Sequence, residues 1–159
     1  MTEEVEMTDW KAEVENIVCS GRIKVPYKWY VGEIGSHFLT RLRDAREIWG
    51  RQCPKCQRVY VPPVKNCGEC FALTDRWVQV KDEGTVESFT VVRYTHEMHP
   101  VKAPFAYALI RLDGIDDGAL LHLIGGVDLD RLKVGMRVKA VFAEQREGSI
   151  LDIRHFEPM

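Results

Sequence analysis

Apolar residues near the start of the chain recur at helical spacing. Trp10, Val14, Ile17 and Val18 fall at i, i+4, i+7 and i+8, which predicts a short amphipathic helix opened by Thr8 and stopped by Ser20-Gly21. The same stretch sets Glu3, Glu4, Glu6, Asp9, Glu13 and Glu15 against Lys11 alone, so a frayed acidic tail competes with that helix. Residues 22–33, with Pro26, Tyr27, Trp29, Tyr30 and Gly32, read as an extended connector. A second helix is marked by Ile34, Phe38, Leu42, Ala45 and Trp49 on one face, with Gly50 placed as its carboxy-terminal cap. From Gly84 the pattern changes to strands. Thr85–Tyr94, Phe105–Leu112, Ala119–Ile124, Arg137–Glu144 and Ile150–Phe156 are β-branched, aromatic and aliphatic runs separated by turn residues such as Asp113-Gly114 and Arg146-Glu147-Gly148-Ser149.

Five short strands without an intervening long helix predict a small closed barrel. The five-stranded OB-fold is the first choice, with an SH3-like barrel or small sandwich as alternatives. The chain thus reads as mainly β with N-terminal helices: a helical arm over 1–49, a cysteine-bearing segment over 50–80 and a barrel over 81–159.

Charge narrows the function classes. Lys plus Arg is 22 and Asp plus Glu is 24, for a net charge of −2. A general nucleic-acid binder carries a basic surplus instead, although Arg41, Arg43, Arg46, Arg51, Lys55 and Arg58 form a local basic cluster. No run approaches the ~18 apolar residues of a membrane span, and the acidic opening is unlike a signal peptide, so a cytoplasmic location is expected.

In a reducing compartment the five cysteines are read as metal chemistry before disulfides. Cys53, Cys56, Cys67 and Cys70 form a C-x2-C-x10-C-x2-C pattern, and Gln57–Asn66 leaves chain enough for one strand and a turn back. Two such knuckles complete a tetrahedral four-sulfur site suited to structural zinc. The same cage holds iron in a rubredoxin-like electron carrier, which visible absorbance would separate from zinc. Cys19 has no partner at a useful spacing and reads as a small hydrophobe.

The order of these elements resembles the DUF35 family, small proteins that pair a rubredoxin-like zinc ribbon with an OB-fold. The matching stretches are Cys53–Cys56, Pro62-Pro63, Cys67–Cys70, Trp77, Gly84–Val92 and Val134–Val138. Gln57 stands where the family often has Gly, Val64 where a basic residue often follows the prolines, and Gly68 where Pro is frequent; Lys81-Asp82-Glu83 replaces a Ser-Gly-Arg-like turn. No ligand is lost. The resemblance implies a non-catalytic accessory subunit in a hetero-oligomer with a thiolase-superfamily enzyme, helping it hold coenzyme A or acyl-CoA while the partner cleaves or condenses a 3-oxoacyl-CoA.

If coenzyme A is the ligand, its phosphates need cations and its adenine a flat surface. The loop after the first barrel strand combines these in Arg93, Tyr94, His96, His99 and Lys102, the candidate ligand or partner surface. Tyr27, Trp29, Tyr30 and Phe38 are candidate docking residues, since an arm before a small ribbon has little core of its own. His96-Glu97-Met98-His99 lacks the H-E-x-x-H spacing of a metalloprotease. His122, in an apolar strand, reads as a hydrogen-bonded edge residue, and His37 and His155 as surface residues.

Overall fold

The computed structural model describes residues 15, 17–21, 25–116 and 118–159. Most of the first expected helix lies outside these residues; Ile17 and Val18 are exposed and without regular structure. Residues up to Tyr30 form one unit and Val31–Met159 another. In the first, Tyr27, Trp29 and Tyr30 are exposed, with the Tyr27 and Trp29 rings 5.2 Å apart.

The second unit opens with α1 (Gly32–Ala45), which buries Phe38 and Leu42. The helix ends four residues before the expected Gly50, at Arg46 in the left-handed conformation (φ 58°), whose N–H bonds the Arg41 carbonyl. Helical spacing misplaced the boundary because the apolar residues continue directly into strand β1 (Ile48–Gln52), which takes Trp49 and Gly50. Gly50 serves close approach instead: a Cβ there would sit 2.8 Å from the Tyr60 carbonyl oxygen. Strands β2 (Val59–Tyr60) and β3 (Arg76–Val80) flank β1 antiparallel, giving a three-stranded ribbon ordered β2-β1-β3.

The barrel follows the expected strands closely: β4 (Glu83–Val92), β5 (Phe105–Leu112), β6 (Leu120–Ile124), β7 (Arg137–Phe142) and β8 (Ile153–Pro158). It closes in the order β4-β5-β6-β8-β7, with β4 returning to β7 through Gly84 opposite Val138. This is the five-stranded OB-type barrel rather than the SH3-like alternative. A bulge between Val86 and Ser88 bends β4. Gly84 lets β5 pass, since a Cβ would lie 2.5 Å from the Arg111 carbonyl oxygen.

Inside, Ala106, Ala108, Ile110 and Leu112 of β5 alternate into a core with Val86, Val138, Ile153 and Phe156. That core is continuous with Phe38 and Leu42 of α1 and with Ile48, Val59, Val61 and Val80 of the ribbon. A second tie is the Arg146 guanidinium, which donates to the Arg43 carbonyl at the end of α1 (2.7 Å) and to the Ala143 carbonyl after β7 (2.8 Å). Among the described residues no helix is long and apolar enough to cross a membrane.

His122 is not at an edge. It is buried against Phe156 inside the closed barrel; the Leu123 N–H donates to Nδ1 (2.9 Å), so the neutral ring carries its proton on Nε2, facing the Ile150 carbonyl (3.3 Å). Burial holds this imidazole below the ordinary histidine value of 6.5, and the nearby His155 adds to the effect. The unfolded chain therefore binds a proton near 6.5 that the folded chain refuses. Stability is full above that pH and falls as pH drops through it, by up to ~1.4 kcal/mol per unit, until the folded ring protonates. Urea unfolding at successive pH values should show this slope, and His122→Gln should shrink it; an unchanged slope would clear His122. His37, also lowered by burial and by Arg41 and Arg51, contributes in the same direction and leaves a residual.

Candidate functional site

The two cysteine pairs fold into the same local structure. After each pair the backbone turns left-handed, at Gln57 (φ 63°) and Phe71 (φ 55°). In each, the N–H of that residue bonds the carbonyl of the first cysteine, Gln57 to Cys53 and Phe71 to Cys67, both at 3.0 Å. In each, the first cysteine's N–H reaches the carbonyl five residues on, Cys53 to Arg58 (2.9 Å) and Cys67 to Ala72 (2.8 Å). The left-handed requirement explains why glycine suits position 57. Here the Gln57 side chain bridges the turn, donating to the Pro54 carbonyl at 2.7 Å. Phe71 has no such bond among the described residues and is 80% exposed.

These turns aim four sulfurs at one point. The ligand atoms of Cys53, Cys56, Cys67 and Cys70 lie within 4.8 Å of one another, with Cys56 and Cys67 at 3.6 Å. That is far beyond an S–S bond of ~2.05 Å. It matches the ~3.8 Å edge of a tetrahedron built on Zn–S bonds of ~2.3 Å. Cys53 and Cys67 are buried. The Tyr60 hydroxyl meets the Cys67 sulfur at 3.1 Å and the Cys70 N–H donates to it at 3.3 Å. These two donors lower the Cys67 thiol to about 6. Cys70 is pushed up to about 12 by the neighbouring Cys56 sulfur, by burial and by Cys67. Cys70 thus holds its proton against the neighbouring sulfurs while Cys67 sheds its own; a divalent cation at the centre binds cysteines as thiolates, so the donor set fits zinc. All four positions are protein sulfur, which makes the site closed and structural.

Family models match both halves of this architecture: the rubredoxin-like zinc ribbon domain of ChsH2 over residues 42–75 and the C-terminal OB-fold domain of ChsH2 over 77–143. A solved protein of unknown function from the DUF35 family, from Sulfolobus solfataricus, is 33% identical, with a TM-score of 0.58 over 69% of this chain and 78% of its own. The chain belongs to the DUF35 family. A second solved DUF35 structure, the Ltp2-ChsH2(DUF35) aldolase, shares the fold at 20% identity and a TM-score of 0.62, over 82% of this chain and 98% of its own. No curated protein matches the sequence.

Against this DUF35 frame the other expected residues divide. Phe38 is 4% exposed in the shared core and is not available for docking, so that reading narrows to Tyr27, Trp29 and Tyr30. A helical face was visible in the sequence, but not that its core would come from the ribbon and barrel. In the loop between β4 and β5 the structure brings together three rings: Tyr94 and His99 at 5.2 Å, His96 and His99 at 5.8 Å. Arg93 and Lys102 are exposed, and neither is in an ion pair among the described residues.

Two features escaped sequence reasoning. Tyr60, between the knuckles, supplies the hydroxyl at the Cys67 sulfur, and nothing in the cysteine spacing signals it. His37 is not a free surface residue: it stacks on Trp77 at 4.0 Å and meets the Trp49 edge at 6.0 Å. Arg51 covers Trp77 and Arg41 covers Trp49, so a ladder of cations and rings fastens α1 to the ribbon.

Proposed function

We propose that this DUF35 chain is a non-catalytic subunit of a thiolase-superfamily enzyme, working in the cytoplasm and supporting acyl-CoA binding while the partner makes or breaks a carbon–carbon bond. The observation that carries the reading is that the chemistry-bearing cluster of the described residues, the tetrathiolate, is a closed structural site within ChsH2-type ribbon and OB domains. A chain so built supplies surfaces rather than a nucleophile. The description of the structural neighbour pairs ChsH2 with a second component, Ltp2, and supports a hetero-oligomer. Tyr27, Trp29 and Tyr30 provide docking side chains, and Arg93, Tyr94, His96, His99 and Lys102 the coenzyme A side.

The nucleic-acid alternative loses support because its basic cluster is largely engaged. Arg41, Arg43 and Arg58 pair with Glu47, Asp44 and Glu69, and Arg51 lies on Trp77. The partner's reaction has two forms. Thiolysis of a 3-oxoacyl-CoA consumes free coenzyme A, whereas aldol cleavage of a 3-hydroxyacyl-CoA releases a carbonyl compound and consumes none. Purification of the tagged full chain from its host, with mass spectrometry of partners and metal, should recover a thiolase-superfamily enzyme with zinc. Assay of that complex with and without free coenzyme A then distinguishes the two reactions. Recovery of nucleic acid or a polymerase without such an enzyme would overturn the proposal.

A further inference from the structure

The register of the ribbon sets Gln52 of β1 opposite Arg76 of β3, and Arg51 opposite Trp77. With Pro54, Gln57 and Asp75, the residues Gln52, Arg76 and Trp77 line an open cleft of about 540 Å³ beside the first knuckle. This cleft is built around one guanidinium. Arg76 Nε donates to Oε1 of Gln52 (2.7 Å), and Nη2 donates both to that oxygen and to Oε1 of Gln57 (3.3 Å). The amide ends of the two glutamines are tied to backbone in turn. Gln52 Nε2 donates to the Gln57 carbonyl (2.6 Å) and Gln57 Nε2 to the Pro54 carbonyl (2.7 Å).

Arg76 is therefore oriented by two neutral acceptors and, among the described residues, paired with no carboxylate. The distinction matters. A carboxylate would orient the guanidinium and also neutralise it, whereas carboxamides orient it and leave its charge. Of the five N–H donors of the group, the two on Nη1 are unclaimed. Gln57 supplies half of this clamp from a left-handed backbone (φ 63°) that glycine would adopt without strain. The neighbouring wall is rigid as well, because the Trp77 ring is stacked on His37 at 4.0 Å and covered by Arg51 at 5.0 Å. Opposing these cations, Asp75 brings an exposed carboxylate to the same cleft.

We propose that the cleft captures a carboxylate carried on a protein segment: an acidic side chain of a partner chain seated on Arg76, its stem on Trp77 and Pro54, its backbone amide facing Asp75. A phosphate dianion fits worse, since it brings more negative charge up to Asp75 and has no stem for the indole. A peptide supplies both halves of the match, an acceptor for Arg76 and N–H donors for Asp75. The inference goes beyond the subunit reading by assigning contact chemistry to the ribbon, and rests on that reading only for which chain supplies the carboxylate.

The test titrates the full zinc-loaded chain, without partner, with N-acetylglutamate amide (the blocked glutamate), blocked glutamine and inorganic phosphate at matched ionic strength. The signals followed by NMR are the Arg76 Nε–H and the Trp77 indole N–H. Blocked glutamate should move both saturably and bind about tenfold or more tighter than blocked glutamine, because its acceptor is charged. Arg76→Gln, at an exposed position, should bring glutamate down to the glutamine level. Gln57→Gly relieves the backbone and keeps the metal ligands, so it should retain zinc yet bind blocked glutamate about threefold or more weakly, its guanidinium no longer held. Equal binding of the two blocked residues, tighter binding of phosphate, absence of binding, or indifference to both substitutions would overturn the proposal. Because the partner-free chain is used, failure here leaves the subunit reading standing, and failure to recover a thiolase-type enzyme leaves this binding measurement intact.

Discussion

Replacing Cys67 with serine should remove the metal and unfold the ribbon. Cys67 is buried, within 3.6 Å of Cys56, and accepts from Tyr60 and the Cys70 amide, so no neighbouring group can stand in for its sulfur. The knuckle end of the ribbon has little else to hold it: β2 is two residues long and pairs with β1 only through Val59 and Tyr60. Structural zinc in comparable small modules supplies an apparent ~10–16 kcal/mol, more than the whole net stability of an ordinary domain. The loss will not stop at the ribbon, because Ile48, Val59, Val61 and Val80 belong to the same core as the barrel. Elemental analysis should find about one zinc per wild-type chain and almost none in Cys67→Ser, with early, broadened melting. Cys19→Ser, at an exposed cysteine outside the cage, is the control and should keep both. Retention of metal and melting temperature by Cys67→Ser would refute the tetrathiolate site; a coloured protein containing iron would leave the cage intact and change its occupant.

The parts of this molecule legible in its sequence are those where one local rule suffices. Cysteine spacing announces the cage because a knuckle is a property of a few consecutive residues. The barrel strands stand out because β-branched and aromatic runs end at Gly and Asp turns. What could not be read depends on who faces whom. The spacing Phe38–Leu42–Ala45–Trp49 is helical, yet only its first part is helix, since the need for Gly50 comes from Tyr60 across the ribbon and not from a cap. Phe38 and His37 read as surface because their covers, the shared core and Trp77, lie far along the chain or come from another element. The outward Leu109 and Leu121 were hidden in runs that simply looked apolar; only the register shows that one face of the sheet is bare.

Asp152→Ala should destabilise the fold strongly although the residue lies outside the metal cage. Asp152 is 3% exposed, and its carboxylate collects three consecutive amides: Glu147 N–H at 2.9 Å, Gly148 N–H at 2.9 Å and Ser149 N–H at 3.3 Å. It also closes a capping box with Ser149 over the 3-10 turn 150–152, which leads into β8. Truncation strands those donors where water reaches them poorly, and hydrogen bonds to a charged group contribute ~1.5–3 kcal/mol each before compensation. The turn carries more than itself. Arg146, adjacent to the clamped Glu147, bonds the last turn of α1 and the end of β7, so slackening the turn loosens the helix from the barrel and uncovers Phe38 and Leu42. A net loss of about 3 kcal/mol, or roughly 6–12 °C in melting temperature for a chain of this size, is expected. Asp152→Asn should fall between Ala and wild type, since one oxygen still accepts while the new NH2 opposes an amide donor. Glu147→Ala removes an exposed side chain but leaves the amide that Asp152 holds, and should change stability by less than ~0.5 kcal/mol. If Asp152→Ala and Glu147→Ala melt alike, the carboxylate clamp is not what joins helix, turn and barrel.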